Sequence, residues 1–137
     1  MPIQLEFPDE GLGVIYRCQG VLGPQNFSDA NNRLLALPDR IRKLKYVIVD
    51  AVSMEPQFFS PSEMDGIVLQ NRQTASYAAP GLLVALVAER NVVIALARMW
   101  EAFIEGIGWE TKIVPSMVEA QEWICLRVKE KFKLELP

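Results

Sequence analysis

The sequence predicts an α/β fold in which a mixed sheet of about five strands carries four helices, within a single domain spanning residues 1–137. Half of the residues are hydrophobic and 23% are charged, a composition typical of a packed globule. Apolar, β-branched segments alternate along the chain with segments of three- and four-residue apolar periodicity. Neither a linker nor an internal repeat interrupts this alternation, which favours one domain for a chain of 137 residues.

The first two strands are predicted to form an antiparallel hairpin. "PIQLEF" (2–7) and "GVIYRCQGVL" (13–22) are strand-like, and the second alternates Val14, Tyr16 and Cys18 with residues of the opposite face. The segment "PDEGLG" between them has the residue types of a turn.

An amphipathic helix follows, because apolar residues recur at intervals of three and four positions. Pro38 lies inside this pattern and cannot donate a backbone hydrogen bond, so we expect it to break the helix in two. The recurring apolar residues are Phe27, Ala30, Leu34, Leu37 and Ile41.

The remaining chain predicts three right-handed crossover units and a last helix. "YVIVDAV" (46–52) has the continuous apolar character of a central strand covered on both faces. We expect it to end near Asp50 and to pass into a loop. The later elements are a helix from Ser60, a strand at 81–89, a helix at 91–106, a strand at 111–116 and a helix at 116–132.

Composition argues against several classes of function. The net charge of −3 disfavours a nucleic-acid binder, which needs clustered Lys and Arg. The first residues lack a basic start and an apolar block, so no signal peptide is expected. No apolar run approaches the roughly 20 residues of a membrane span. A cytoplasmic protein without an integral membrane segment is therefore predicted.

Metal and histidine chemistry are not expected. The chain has no histidine, which removes the commonest general base and zinc ligand. Cys18 and Cys125 both fall in apolar patterns and are predicted to be buried free thiols rather than metal ligands. No cofactor is predicted.

Asp50 is a candidate phosphoryl acceptor because it follows a buried apolar run. An acceptor of the haloacid-dehalogenase kind needs a second acid two residues later, where this chain has Val52. A response-regulator receiver needs a lysine after its last strand, and Lys112 lies at the start of that strand. The missing partners predict that Asp50 is not catalytic, that the protein is not an enzyme, and that Asp50 accepts backbone hydrogen bonds instead.

The serines that follow have two interpretations. Ser60-Pro61-Ser62-Glu63 is a capping box, in which the side chains satisfy unpaired N–H groups at a helix start. The same arrangement recurs at Ser116-Met117-Val118-Glu119, so capping alone accounts for Ser60 and Ser62. A phosphorylation switch at Ser60 or Ser62 is the alternative, because a phosphate is stabilised at a helix N-terminus.

The order of elements, with "YVIVDAV" leading through a loop into a helix, resembles the STAS domain of anti-sigma-factor antagonists. "PGLLVALVAERNVVIALARMWEAFI" (80–104) and "TKIVPSMVEAQEWI" (111–124) resemble stand-alone bacterial proteins of that fold. The resemblance implies a non-catalytic regulatory module that binds a protein partner. In STAS antagonists a serine near this helix start is phosphorylated. Counting from Asp50 places Ser60 at that position, whereas aligning "EMDG" (63–66) places Asp65 there as a permanent charge.

The third predicted helix is apolar around almost its whole circumference, so its second face must be covered. We place Met99, Trp100 and Phe103 outward as a candidate oligomer interface, which predicts a homodimer. Coverage by another part of the same chain is the alternative.

The loop "SMEPQFFSP" (53–61) carries Met54, Phe58 and Phe59. These side chains either plug the end of the sheet or line an apolar pocket there. The CRAL-TRIO lipid-carrier fold has a comparable order of elements. The alternative function is therefore a protein that binds a lipid or a small apolar ligand near Phe58 and Phe59.

Overall fold

The computed structural model describes residues 2–137 and shows an α/β fold built on a five-stranded mixed sheet, as predicted. The strands are β1 (Ile3–Glu6), β2 (Gly13–Leu22), β3 (Tyr46–Pro56), β4 (Leu83–Val87) and β5 (Glu110–Val114). The helices are α1 (Pro24–Leu35), α2 (Pro38–Lys43), α3 (Pro61–Tyr77), α4 (Asn91–Phe103) and α5 (Met117–Phe132). A short 3-10 helix, Asp9–Gly11, connects β1 to β2.

The predicted number of four helices is wrong, because residues 2–137 contain five α-helices. The additional helix arises at the expected break: α1 ends at Leu35, and Pro38 occupies the first position of α2. Proline is tolerated there because the first N–H of a helix has no partner within it.

The strands follow one another across the sheet in the order β1-β2-β3-β4-β5. β1 and β2 form the predicted antiparallel pair, and the next three pairings are parallel. One core cluster joins the sheet to α1, α2, α3 and α4. A second, smaller cluster joins the opposite face of the sheet to α5, through Ala120, Ile124 and Val128.

β3 is longer than predicted and continues past Asp50 to Pro56. β3 can extend this far because β2 has ten residues and pairs with it up to Leu22, which lies opposite Pro56. The register of the two strands shifts between Arg17 and Gln19. The expectation that the strand ends near Asp50 is therefore wrong, and Asp50 lies within the strand.

The two cysteines have different environments. Cys18 is a buried free thiol in β2, as predicted, and burial raises its pKa to about 12, with a smaller contribution from the charge of Asp50. Cys125 is a free thiol on the exposed side of α5, so its predicted burial is wrong. Between residues 2 and 137, no helix combines the length and the apolar character that crossing a membrane requires.

Candidate functional site

Asp50 forms an ion pair on the face of the sheet that α5 partly covers. Successive side chains of a strand point to opposite faces, and Val49 and Ala51 belong to the core under α1–α4, so Asp50 points the other way. Arg17 lies opposite it on β2, and its Nη1 donates to Asp50 Oδ2 at 2.9 Å. The hydrogen bond that Asp50 was expected to accept from the backbone is present but long, at 3.4 Å from Val52 N.

Arg17 also binds Glu6 on β1, with 3.0 Å between Nε and Oε2. The hydrogen bonds with Glu6 and then with Asp50 raise the pKa of the guanidinium above its usual value. One arginine thus bridges two carboxylates across three strands. The side chain of Asp50 is hydrogen-bonded to Arg17 and Val52, and within residues 2–137 no hydrogen bond joins it to Ser60, Ser62 or Asp65, the other residues predicted as a switch or docking site.

Ser60 caps α3 as predicted. Its Oγ accepts from the backbone N–H of Glu63 at 3.1 Å, and Glu63 Oε1 accepts from the backbone N–H of Ser60 at 3.0 Å. The hydrogen bond from the Ser60 backbone N–H and, second, the Ser60 hydroxyl lower the pKa of the Glu63 carboxyl. Ser116 also caps α5, because its Oγ accepts from the N–H of Glu119 at 3.2 Å. The predicted capping box is only half formed there, since the Glu119 carboxylate accepts from Ser116 Oγ at 3.2 Å rather than from the Ser116 backbone.

The two phenylalanines before this helix have opposite environments. Phe59 is only 6% exposed and packs edge-to-face on Phe27, with ring centroids 5.9 Å apart. Phe58 is 81% exposed. Ser62 and Asp65 are also exposed, and Ser60 is half-buried. We call the group Phe58, Ser60, Ser62 and Asp65 the docking surface.

An apolar cavity of about 110 Å³ lies between the sheet and the helices α1, α3 and α4. Met54 and Phe59 line this cavity, which agrees with the prediction that residues 53–61 contribute to an apolar pocket. Phe58 does not line it. The side chains around it come from β2, β3 and β4 on one side and from the three helices on the other. Asp, Glu, Lys and Arg are absent from its lining within residues 2–137.

Four polar side chains that reach the cavity form two hydrogen-bonded pairs, and the hydroxyl of a fifth, Thr74, donates to the backbone carbonyl of Gln70 at 3.3 Å. Tyr16 Oη donates to Asn31 Oδ1 at 2.8 Å, and burial raises the pKa of the Tyr16 phenol. Trp100 Nε1 donates to Asn71 Oδ1 at 2.9 Å, joining α4 to α3. Since buried polar groups without partners are costly, these bonds keep the lining compatible with an apolar interior.

Met99, Trp100 and Phe103 are all half-buried and pack against the main core. The outward orientation expected of Trp100 is wrong, because its indole lines the cavity and lies 6.4 Å from the ring of Trp109. Their use in an oligomer interface stays a prediction. Trp109 and Asn71 also line the cavity, and no local pattern in the sequence indicated them. For Trp100, the spacing of Val93, Leu96, Ala97 and Trp100 was the available signal, obscured by apolar residues on the other sides of the helix.

Among residues 2–137, no three His, Cys, Asp or Glu side chains are close enough to hold a metal ion together. No family model and no curated protein matches this chain. The functional proposals therefore depend on the geometry of the docking surface and of the cavity.

Proposed function

We propose that the chain is a non-catalytic interaction module of STAS-like architecture, which binds a regulatory protein partner through the docking surface. The observation that carries this proposal is the 81% exposure of Phe58 immediately before the capped start of α3. Covering a large aromatic side chain with a partner removes apolar surface from water and so lowers the free energy of the complex. Aromatic residues are accordingly enriched at protein interfaces.

The topology supports the STAS-like assignment. An antiparallel β1–β2 pair is followed by parallel strands in sequence order, with a helical connection after each of β2, β3 and β4. The same arrangement is implied by the resemblance of the sequence to that domain. The pairing of Asp50 with Arg17 supports a structural rather than a phosphoryl-accepting role for this carboxylate.

The geometry of the cap favours Ser62 over Ser60 as the residue whose charge regulates docking. Ser60 Oγ already accepts a hydrogen bond from the Glu63 backbone, and the Glu63 carboxylate lies against the Ser60 backbone. A phosphate on Ser60 would therefore disrupt both hydrogen bonds of the cap, neither of which involves Ser62. Ser62 is exposed in the first turn of α3, where the helix dipole stabilises a negative group. Asp65 supplies a permanent charge one turn further along.

Site-specific crosslinking tests the proposal. A photoreactive phenylalanine at position 58 is expected to give one discrete protein adduct in extract of the source cells, and Ser62→Asp is expected to change its yield. The matched control is the same group at Leu69, which is 61% exposed further along α3. Identical adducts from both positions, or no adduct from position 58, would contradict docking at this surface.

Phe58→Ser separates binding from folding. Because the side chain is largely in water, this change is expected to alter the free energy of unfolding by about 0.5 kcal/mol or less. Loss of the partner with unchanged stability supports the proposal. Retention of the partner by Phe58→Ser would show that Phe58 is not part of the interface.

A further inference from the structure

The cavity under α3 and α4 is large enough to hold a molecule. Its volume is about 110 Å³, and an engineered apolar cavity of roughly 150 Å³ in another protein stays dry and binds benzene or xenon. The available space therefore corresponds to about one aromatic ring or a short aliphatic chain. A lipid with two acyl chains does not fit within it.

The lining decides the chemical class of the occupant. Of the side chains described in residues 2–137, those that line the cavity carry no formal charge. A carboxylate, phosphate or ammonium group placed there would lose its hydration without finding a counter-ion. The Tyr16–Asn31 and Trp100–Asn71 bonds already use the principal polar groups of the lining. A neutral, apolar molecule is what such an interior accepts.

Two pairs of aromatic rings in the lining suit a flat, apolar ligand. Phe59 and Phe27 meet edge-to-face near the start of α3, and Trp100 and Trp109 lie together near the end of α4. The edges and faces of these rings can contact the ring of a ligand in the edge-to-face or offset arrangements that aromatic pairs prefer.

Half-buried side chains on α4 form part of the cavity wall. They are Leu96, Ala97 and Trp100, and Val49, Phe27, Asn71 and Trp109 of the lining are half-buried as well, whereas Val84 and Leu86 of the sheet are buried. The hydrogen bond from Trp100 to Asn71 bridges α4 and α3 at this wall. Movement of α4 away from α3 would break this hydrogen bond and expose apolar side chains that α4 packs on the core.

We propose that this cavity is a binding site for a small, neutral, apolar molecule about the size of one aromatic ring, held between α1, α3, α4 and the sheet. The inference is independent of the docking surface, since Phe58 is not part of the lining. A molecule that fits this cavity is much smaller than a membrane lipid.

Benzene is the probe for the first test, with benzoate and benzylammonium as charged molecules of similar shape. Benzene near its solubility limit is expected to raise Tm by a few degrees and to change the tryptophan fluorescence, because Trp100 and Trp109 line the cavity. Benzoate and benzylammonium are expected to do neither. Absence of an effect of benzene, or an equal effect of the charged probes, would overturn the proposal.

A pair of variants on α4 locates the site. Ala97→Leu fills the cavity and is expected to weaken benzene binding by about tenfold or more. Ala95→Leu places the same side chain at an exposed position of the same helix, away from the lining, and is expected to bind benzene as the unaltered protein does. Equal losses in the two variants would overturn the assignment. Should Ala97→Leu fail to fold, Ala97→Met, whose flexible side chain adapts to irregular gaps, provides the same test.

Discussion

Arg17 and Asp50 lie opposite each other on the parallel strands β2 and β3, and the guanidinium Nη1 is 2.9 Å from the carboxylate Oδ2. Glu6 binds the same guanidinium from β1. The acid that the sequence singled out for possible chemistry is thus part of an ion-pair network that joins three strands. The side chains of Arg17 and Asp50 are 33% and 19% exposed, so the network is shielded from water only in part.

Replacement of Arg17 by Met is expected to lower the free energy of unfolding by about 1 kcal/mol, since two partly exposed ion pairs disappear. Urea denaturation measures the change. Arg42→Met is the control, because Arg42 pairs with an Asp39 side chain that is 96% exposed. Its effect is expected to be smaller than that of Arg17→Met, and it includes the loss of a contact between the Arg42 guanidinium and the Tyr77 ring, 5.7 Å away. Equal effects of the two variants would show that the Glu6–Arg17–Asp50 network does not stabilise the sheet.

Ser60→Ala is expected to destabilise the protein by about 1 kcal/mol, because the N–H of Glu63 loses its acceptor. Ser116→Ala removes the corresponding cap of α5 and is expected to cost about as much. Ser62→Ala should leave stability nearly unchanged, since Ser62 is exposed and is not the capping residue. Thermal or chemical unfolding of the three variants checks this order. A larger loss for Ser62→Ala than for Ser60→Ala would contradict the capping geometry.

Glu110 is expected to contribute to the loss of stability in acid. The hydrogen bonds from Arg127 hold the pKa of this carboxyl below its ordinary value of 4.5. The folded state therefore binds the proton less tightly than the unfolded state does. The resulting stabilisation is present above pH 4.5 and is lost as the pH falls through the lower, folded-state pKa.

The variant Glu110→Gln should consequently be less stable than the unaltered protein near neutral pH, with a smaller difference below pH 4.5. Unfolding free energies measured at several pH values provide the test. Glu122→Gln, at an exposed position of α5, is the control. A difference between Glu110→Gln and the unaltered protein that is independent of pH would show that the ion pair is not responsible.

Trp100→Ala is expected to lower the free energy of unfolding by about 2 kcal/mol, less than for a fully buried tryptophan because the side chain is half-buried. The homodimer is tested separately by sedimentation of Met99→Glu and Phe103→Glu. If these side chains form the interface, the variants are folded monomers while the unaltered protein is a dimer. A monomeric unaltered protein would make the homodimer prediction wrong, and misfolded variants would assign both residues to the core.

The sequence by itself determined the features that depend on neighbouring residues. The caps at Ser60 and Ser116 and the break at Pro38 follow from side-chain and backbone chemistry within one turn of helix. The alternation of strands and helices follows from the period of the apolar residues. The five-stranded mixed sheet could be predicted from this alternation.

Tertiary structure decided what depends on residues distant in the chain. Asp50 acquires a partner 33 positions away, because the register of β2 and β3 places Arg17 beside it. β3 extends to Pro56 because a long β2 is there to pair with it. In α4, apolar residues lie on nearly every side, so the spacing of apolar residues did not indicate which face of the helix is buried. Packing against α3 and the sheet determined that Trp100 faces inward. The cavity has the same origin, since its volume is the space left where three helices meet a sheet, and no single segment encodes it.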